Sequence, residues 1–498
     1  MIEKTHDVTI LGGGLAGIVS AIDLAKQNLD VAIIFNRSVK NTASFYAQGG
    51  IAAVVSEKDS IQSHHDDTML ASSGSSNSRN VRSIVAASKN AITWLENHGV
   101  IFDKLESGKY SLHLEGGHSL NRILHVKDYT GKAIISELYK QLPSLENITV
   151  YEETTAFKLL TNDNKCVGLM AYTSTDSIIK MLSNNTILAS GGASGIYKYV
   201  TNSNAGFGDT MVMAHEIGCA LKNLEFTQFH PTCYFDENKI PTLISEAIRG
   251  NGAILETKSG TKIMEHIHIQ KDLAPRDVVA RQIYQSMQKS EDIYLNATNL
   301  SKTEWQEKFP YIYSKLINNN IDPSVDRIPI FPAAHYSCGG IEVDRSARTS
   351  VKGIYAVGEA AYTGLHGSNR LASNSLLECV VTALVACKSI SKHINDTVTC
   401  DVDNMTMVAA NHDYSDYISQ IRQIMWNGVG LVRSQSHLAA SLEKLAEIDQ
   451  HTYNKYSSNV FCKEYYKMRS LLTMSQLTIQ IAINRKKSLG SHFLVSNQ

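Results

Sequence analysis

The sequence lacks an excess of charge of either sign. Its 498 residues include 47 Lys plus Arg against 48 Asp plus Glu, which gives a formal net charge of -1. Proteins that bind the nucleic-acid backbone usually carry a basic excess or a basic face. Proteins that attach to membrane surfaces usually carry a polybasic run. The charge balance therefore predicts neither kind of partner, while 43% hydrophobic residues are enough to build packed cores.

Two further signals are missing. The 8 cysteines include no Cys-x-x-Cys pair, and no group of histidines has zinc-site spacing with companion ligands. The apolar run from Val8 to Ile22 is broken by glycines, is too short to span a bilayer and lacks the flanks of a signal peptide. We therefore expect no metal, reduced cysteines and a cytoplasmic protein.

A glycine-rich turn lies between two predicted strands near the start of the sequence. Val8–Leu11 and Val31–Phe35 have the composition of buried strands, and the segment between them starts with the turn and continues as an amphipathic helix. The glycines of such a turn allow a tight bend, close approach to a pyrophosphate and close helix–strand packing. The helix N-terminus supplies N–H groups and a positive dipole end for the phosphates. The pattern predicts a Rossmann-like dinucleotide site at Gly12, Gly13, Gly14, Leu15, Ala16 and Gly17.

The end of the second predicted strand departs from this fingerprint. An acidic residue usually binds the ribose hydroxyls there, but the sequence has Asn36 and Arg37. Asn36 can still hydrogen-bond a hydroxyl, and Arg37 can reach a phosphate. The adenosine contact is therefore altered, and which hydroxyl is held stays open.

Two later segments distinguish FAD from NAD. A polar loop, 41–50, follows the second strand, and Gly353–Ala360 reads as a strand that enters a Gly-Glu turn. Two nucleotide-contacting segments this far apart indicate a domain interrupted by an insertion, the layout of FAD enzymes of the succinate dehydrogenase and fumarate reductase type. We predict an α/β fold (α+β overall) with an FAD-binding domain at 1–223 and 337–400, an inserted α+β capping domain at 224–336 and a C-terminal helical bundle at 401–498.

Six motifs stand in order along the sequence. They are Phe45-Tyr-Ala-Gln-Gly-Gly50, Leu114-Glu-Gly-Gly-His118, Gln228-Phe-His-Pro-Thr232, Ala274-Pro-Arg-Asp277, Pro332-Ala-Ala-His335 and Thr363-Gly-Leu-His-Gly-Ser-Asn-Arg370. Together they resemble the L-aspartate oxidase family, over nearly the whole chain. The resemblance implies hydride transfer from Cα of L-aspartate to N5 of FAD, giving iminoaspartate, in the first step of de novo NAD (quinolinate) synthesis. It also implies reoxidation by oxygen or fumarate and a functional link to quinolinate synthase.

The resemblance implies a non-covalent flavin. Membrane succinate dehydrogenases carry a flavin-linking histidine in the loop around the first motif, three residues before the position of Tyr46, where this sequence has Ala43. Alanine has no nucleophile to form that bond. Beyond the glycine-rich turn, the implied cofactor contacts are Arg37, Ser44, Phe45, Tyr46, Ala47, Gln48, Gly49, Gly50, Asp209, Glu359, Ser375 and Leu376.

A dicarboxylate needs two cationic anchors, because each carboxylate must be paired once water is excluded. Arg276 and Arg370 are the candidates, since arginine binds a carboxylate with two parallel hydrogen bonds and stays charged. By resemblance, the remaining substrate contacts are His230, Ser245, Glu246 and His335.

Glu115 discriminates between substrates. A carboxylate near a dicarboxylate is costly unless a cation lies beside it, and aspartate brings an ammonium whereas succinate and fumarate do not. The resemblance gives Arg276 the acid–base role, and Glu115 can orient the amine or relay its proton. The division of labour between the two stays open.

Two other functions remain as alternatives. A soluble fumarate reductase or succinate dehydrogenase flavoprotein is disfavoured by Ala43 and Glu115. A non-enzymatic flavin protein is disfavoured by the complete set of charged and imidazole groups. One departure concerns the tail, where the family has Ser-Arg-Gly-x-His and this sequence has Ser488-Leu-Gly-Ser-His492, without the arginine.

Overall fold

The computed structural model describes residues 2–390, 400, 405–453, 455–456 and 460–495. The predicted strand Val8–Leu11 is the second half of a longer strand that begins at Ile2, and the predicted strand Val31–Phe35 appears at its predicted bounds. The helices are α1 (Leu15–Ala25), α2 (Ile61–Ala71), α3 (Ser78–Ala86), α4 (Ser88–Asn97), α5 (Thr130–Tyr139), α6 (Asp209–Glu216), α7 (Glu246–Gly250), α8 (Arg276–Gln288), α9 (Lys302–Lys308), α10 (Pro310–Ile317), α11 (Asn374–Ile390), α12 (Ser415–Val429), α13 (Gln435–Thr452) and α14 (Lys463–Asn484).

The strands fall into several small sheets and one large one. They are β1 (Ile2–Leu11), β2 (Val31–Phe35), β3 (Ile51–Ala52), β4 (Leu112–His113), β5 (Ile123–Leu124), β6 (Ile148–Glu152), β7 (Thr155–Asn162), β8 (Lys165–Tyr172), β9 (Ile178–Leu188), β10 (Leu221–Lys222), β11 (Thr227–Phe235), β12 (Pro241–Leu243), β13 (Ile254–Thr257), β14 (Ile293–Asn296), β15 (Ile328–Pro329), β16 (Phe331–Ser337), β17 (Gly340–Glu342), β18 (Ile354–Ala356), β19 (Ala361–Tyr362), β20 (Thr406–Met407) and β21 (Val460–Phe461).

The large sheet has the order β6-β2-β1-β9-β8-β7, and β18 pairs with β9. Its nucleotide-binding half is parallel: β1 pairs with β2 and β9, and β9 pairs with β18. The five residues of β2 are all buried, as expected for a parallel strand covered on both faces. Parallel strands end at one edge, so the glycine-rich turn after β1 and the Gly-Glu turn after β18 meet there. The sheet thus joins segments that the sequence separates widely.

The segment between β11 and β16 builds its own core. β11 pairs with β12 and β16, and β13, β14 and β15 form a second antiparallel sheet. Trp305, Phe309 and Ile312 are buried in an apolar cluster drawn from residues 244–330. The predicted limits of this unit, 224 and 336, stay a prediction, but a core confined to these residues is what an inserted domain requires.

The C-terminal helices α12, α13 and α14 pack against one another as the helical spacing of their apolar residues predicts. Their buried residues, such as Met425, Leu438 and Leu471, belong to the same apolar cluster as Leu11 and Leu188 of the large sheet. The tail therefore shares its core with the flavin domain. The predicted boundary at 400/401 falls where 391–399 and 401–404 lie outside the described residues. Among the described helices, none has the length and apolarity needed to cross a membrane.

The Ser/Asn-rich stretch 71–80, which its composition predicts to be a mobile surface loop, is different in the structure. Helix α2 runs to Ala71 and α3 starts at Ser78. Ser72 and Ser76 between them are buried, and Ser76 donates a hydrogen bond of 2.8 Å to the Leu365 carbonyl oxygen. The stretch lies at the surface only in part: Ser73, Gly74 and Asn77 are exposed, whereas Ser72 and Ser76 pack closely against a second backbone segment. Here they support the segment that leads to Arg370.

Candidate active site

One continuous cavity of about 680 Å³ runs from the glycine-rich turn to the predicted substrate residues. Gly12, Arg37 and Gln48 line one part of it, and Arg276 and Arg370 line another. The lining includes every predicted site residue except Gly17 and Phe45. Phe45 instead packs against the core beneath the sheet. A cofactor and a substrate can therefore occupy the same cavity side by side.

The glycine-rich turn leaves no room for side chains. Gly12 has φ +123°, and a Cβ there would lie 2.2 Å from the Ala189 carbonyl oxygen. A Cβ on Gly17 would lie 1.9 Å from the Gly12 carbonyl oxygen, so its role is the close packing of α1 on the turn. Gly14, the N-cap of α1, has no side chain, and the Leu15 N–H donates to Ser44 Oγ at 3.1 Å. Gly14, Leu15 and Ala16 line the cavity, so the N-terminus of α1 faces the space that would hold the pyrophosphate of FAD.

Two half-buried carboxylates, Glu359 and Asp209, face the same cavity. Glu359 accepts a hydrogen bond of 2.8 Å from the Ser337 backbone N–H, and burial raises its pKa to about 7. Asp209 begins α6, after Gly208 in the left-handed region, and burial raises its pKa as well. Both lie where carboxylates can accept hydrogen bonds from the hydroxyls of a nucleotide cofactor.

The two predicted anchors meet at Gln228. Arg276 Nη1 and Arg370 Nε donate to the same atom, Gln228 Oε1, at 3.2 Å and 3.3 Å. The Gln228 amide nitrogen donates to the Asn369 side chain at 2.8 Å and the Arg370 carbonyl oxygen at 2.7 Å, which fixes its orientation. The Arg370 guanidinium also lies 4.2 Å over the Tyr336 ring. A buried pair of like charges is thereby held in one arrangement, ready for an anion between them.

His230 and His335 lie on the paired strands β11 and β16, with ring centroids 5.2 Å apart. His230 Nδ1 lies 3.2 Å from both the backbone nitrogen and the carbonyl oxygen of Thr232, so this residue orients the ring. His335 Nδ1 lies 2.8 Å from the Thr201 hydroxyl. Burial, reinforced by the charge of the two arginines, holds the pKa of both rings well below 6.5. Both rings are therefore neutral at neutral pH, and each has one ring N–H to donate.

Glu246 is the counter-ion of the site. Its Oε2 lies 2.6 Å from Arg276 Nε and its Oε1 lies 3.0 Å from Arg249 Nη2. Burial alone would raise its pKa, but Arg276 and Arg249 outweigh burial and lower it to about 2. Ser245 caps the short helix α7 through the Ala247 N–H. Glu246 thus stays ionised and holds Arg276 at the cavity.

Replacing Glu246 by Gln should lower the free energy of unfolding of the FAD-loaded protein by roughly 3 kcal/mol at neutral pH, because two buried guanidiniums lose their counter-charge. The folded pKa is depressed, so this stabilisation is present above the unfolded value near 4.5 and is lost as pH falls toward about 2. Urea unfolding of both proteins between pH 7 and about pH 4 measures the difference. A difference that grows as pH falls would contradict the assignment.

Glu115 lies beside the arginines, buried to 3% exposure. Its Oε2 accepts a hydrogen bond of 2.5 Å from the Ser373 hydroxyl. Burial raises its pKa, and the charges of Arg276 and Arg370 only partly oppose this effect. A Cβ on Gly49 would lie 2.1 Å from Glu115 Oε1, so that glycine makes room for the carboxylate. The arrangement places a second acidic group, besides Glu246, near the cations of the cavity.

Sequence reasoning missed four residues that shape this site. Arg249 pairs with Glu246, Gln228 joins the arginines, Tyr336 supports Arg370 and Ser373 binds Glu115. Gln228 stands inside a quoted motif, Tyr336 directly follows one and Ser373 lies three residues after another, which was the available signal. Arg249 lies three residues after Glu246 on α7, and that helical spacing was a usable sign of an ion pair.

The tail reaches the same region. Ser491 N–H donates to the Ser368 carbonyl oxygen at 3.1 Å, two residues before Arg370. Leu489, at the position of the missing arginine, packs against Phe226, Tyr336 and Cys338. Arg485 Nε lies 2.5 Å from Oε1 of buried Glu225. A cation therefore reaches the neighbourhood of Leu489 from a different position.

Comparisons with known proteins agree with this geometry. The FAD binding domain model matches residues 7–376, and the fumarate reductase flavoprotein C-terminal model matches residues 418–495. Curated relatives include L-aspartate oxidases of Vibrio cholerae, 37% identical over 99% of this chain and 95% of that protein, and Acinetobacter baylyi, 36% identical over 99% and 94%. A mutant of E. coli quinol fumarate reductase superposes with a TM-score of 0.90 at 26% identity, covering 100% of this chain and 92% of that one.

The fold and the site define an FAD-dependent oxidoreductase of the succinate dehydrogenase and fumarate reductase flavoprotein type. Its cavity adds a buried carboxylate, Glu115, to the two arginine anchors. The chain belongs to the L-aspartate oxidase family.

Proposed function

We propose that this protein oxidises L-aspartate to iminoaspartate and so opens the de novo route to NAD through quinolinate. The observation that carries the proposal is the cavity itself, which joins the nucleotide turn to a site with two arginines, two neutral histidines and the carboxylate of Glu115, which is not paired with an arginine. The arginines and histidines suit the two carboxylates of a dicarboxylate. Glu115 suits an ammonium, which only the amino acid supplies.

Different residues of the chain bind the two carboxylates and the ammonium of the substrate. Arg370, stacked on Tyr336, and His335 bind one carboxylate of the substrate. His230, Ser245 and Arg276 bind the other, and Glu246 keeps Arg276 charged and aligned. Glu115 pairs with the ammonium and turns the Cα–H bond toward the cofactor side of the cavity.

Oxidation removes a hydride from Cα and one proton from the ammonium, which leaves the protonated imine. FAD, when bound, supplies the hydride acceptor of this reaction. Glu115, with a raised pKa, is suited to accept the proton. Arg276 is the alternative proton acceptor, and its contact with Glu246 and the family resemblance favour it. The proposed cofactor contacts that line the cavity are Gly12 to Ala16, Arg37, Ser44, residues 46–50, Asp209, Glu359, Ser375 and Leu376.

The test is anaerobic bleaching of the protein-bound flavin by L-aspartate, D-aspartate and succinate in parallel. L-Aspartate should bleach the flavin absorbance within the dead time of a manual mix at millimolar concentration, and D-aspartate should not. Bleaching by succinate alone would replace the proposal with a succinate dehydrogenase. A flavin that none of the three reduces would leave a non-enzymatic flavin protein.

Fumarate reduction is the second activity that a specific observation favours. The anchors that hold aspartate are equally suited to fumarate, and a fumarate reductase superposes over the full chain. Fumarate would then be an electron acceptor beside oxygen: one turnover reduces fumarate to succinate, and the alternative turnover reduces oxygen to hydrogen peroxide. Stopped-flow reoxidation of the reduced protein by each acceptor compares the two rates.

The product also bears on partners and location. Iminoaspartate hydrolyses readily, so we propose a functional link to a quinolinate synthase that consumes it. We place the reaction in the cytoplasm, a proposal supported by the free cysteines, of which Cys166, Cys233 and Cys387 are buried.

A further inference from the structure

Ser373 adopts an unusual backbone conformation beside Glu115. Its φ is 59°, in the left-handed region that favours glycine, although it is not a glycine. Such a conformation persists where the surroundings impose it, and it often marks a functional position. Ser373 is 7% exposed and lines the cavity.

Hydrogen bonds on both sides hold this conformation. The Ala372 carbonyl oxygen accepts from His118 Nε2 at 2.9 Å, and the Ser373 carbonyl oxygen accepts from the Ala52 N–H at 3.0 Å. The Asn374 side chain is fixed by His64 at 2.8 Å and by Thr68 at 3.1 Å. The backbone is therefore anchored before, at and after Ser373.

The hydroxyl that this backbone presents has one acceptor. Ser373 Oγ donates to Glu115 Oε2 at 2.5 Å, across 258 positions of sequence. Within the described part of the chain, no group donates a hydrogen bond to Glu115 Oε1, which faces Gly49. One carboxylate oxygen is thus engaged and the other is left for a ligand.

We propose that Ser373 is a positioning residue that determines specificity for the amino acid: its hydroxyl fixes Glu115 so that the free carboxylate oxygen meets the substrate ammonium. This rests on the proposed oxidation of aspartate. Fumarate and succinate have no ammonium, so their binding depends on Arg276, Arg370 and the histidines rather than on Glu115. Loss of the hydroxyl should therefore weaken the reaction of aspartate more than that of fumarate.

The charges around Glu115 give the proposal a second readout. Burial raises the pKa of Glu115, Glu246 raises it further, and Arg276, Arg370 and the Ser373 hydroxyl lower it. Without the hydroxyl, the pKa of Glu115 should rise. The acidic limb of the pH profile of kcat/KM for aspartate should then move to higher pH, because the ionised form is the one that pairs with ammonium.

The test compares Ser373→Gly with Ser373→Ala in the FAD-loaded protein. Both lose the hydroxyl, but only glycine relieves the left-handed backbone. For both, kcat/KM for L-aspartate oxidation should fall about tenfold more than kcat/KM for fumarate reduction. Ser375→Ala is the matched control, because the Ser375 hydroxyl contacts the anchor Arg370 at 2.6 Å and should affect both substrates alike.

A double-mutant cycle completes the test. In a Glu115→Gln background, Ser373→Ala should leave the aspartate-to-fumarate ratio unchanged from that of Glu115→Gln alone, since the two residues act through one contact. Equal losses on both substrates in the Ser373 variants, or loss of FAD, would overturn the proposal and make the hydroxyl a general or cofactor contact. If the wild-type protein does not oxidise aspartate, the proposed function itself is wrong. If it does, but the Ser373 variants lose both activities equally, only the role proposed for Ser373 is wrong.

Discussion

Replacing Arg276 by Leu should reduce turnover with both L-aspartate and fumarate by roughly 10³-fold or more, while FAD stays bound. Arg276 contacts Glu246 and Gln228 in the substrate part of the cavity, away from the glycine-rich turn. Its loss removes a carboxylate anchor and leaves Glu246 facing the cavity without its closest cation. Steady-state kinetics together with the flavin absorbance spectrum of the purified variant measure both effects.

Arg276→Lys is the control for charge alone. Lysine keeps the cation but loses the planar fork that reaches Glu246 and Gln228 at once, so its activity should lie between those of the Leu variant and the wild type. Retained turnover in the Leu variant would remove Arg276 from the mechanism.

Replacing Glu115 by Gln should lower kcat/KM for L-aspartate by roughly 10²-fold while fumarate reduction falls far less, since glutamine keeps the shape but not the charge that pairs with the ammonium. The pKa of Glu115 is raised by burial. In the wild type, aspartate oxidation should therefore rise with pH as this carboxyl ionises. That limb should flatten in the variant.

Parallel assays of aspartate oxidation and fumarate reduction across pH measure this selectivity. Gly49→Ala is a matched steric probe, because its Cβ would displace Glu115 Oε1 without changing the charge. Equal losses on the two substrates in Glu115→Gln would sink the role of Glu115 in recognising the amine.

The sequence predicts the parts of this site that local patterns encode. The glycine-rich turn is recognisable because its strand, turn and helix are contiguous, and β2 appears at its predicted bounds. Arg276 and Arg370 stand in motifs, and both line the cavity. Each of these features depends on a few residues that are neighbours in the sequence, so the sequence pattern alone indicates both the local structure and its chemical role.

The rest depends on contacts between distant segments. The shared acceptor Gln228 lies 142 positions from Arg370, and Ser373 lies 258 positions from Glu115. Nothing in the local sequence of Ser373 predicts a left-handed backbone, because neighbours from three other segments impose it. The burial of Ser72 and Ser76 in the stretch 71–80 is not visible in the sequence for the same reason, because it depends on contacts with Leu365 and Ser368.

The side-chain amide of Gln228 sets the spacing between the two arginine anchors. Its oxygen accepts a hydrogen bond from each arginine, with N···O distances of 3.2 and 3.3 Å, so the two anchors converge on a single point. Anchors tied this closely suit diacids with a short carbon chain, and each added methylene would push one carboxylate out of register. The uncharged Gln228 side chain would then limit the length of the accepted diacid, while Arg276 and Arg370 bind its two carboxylates.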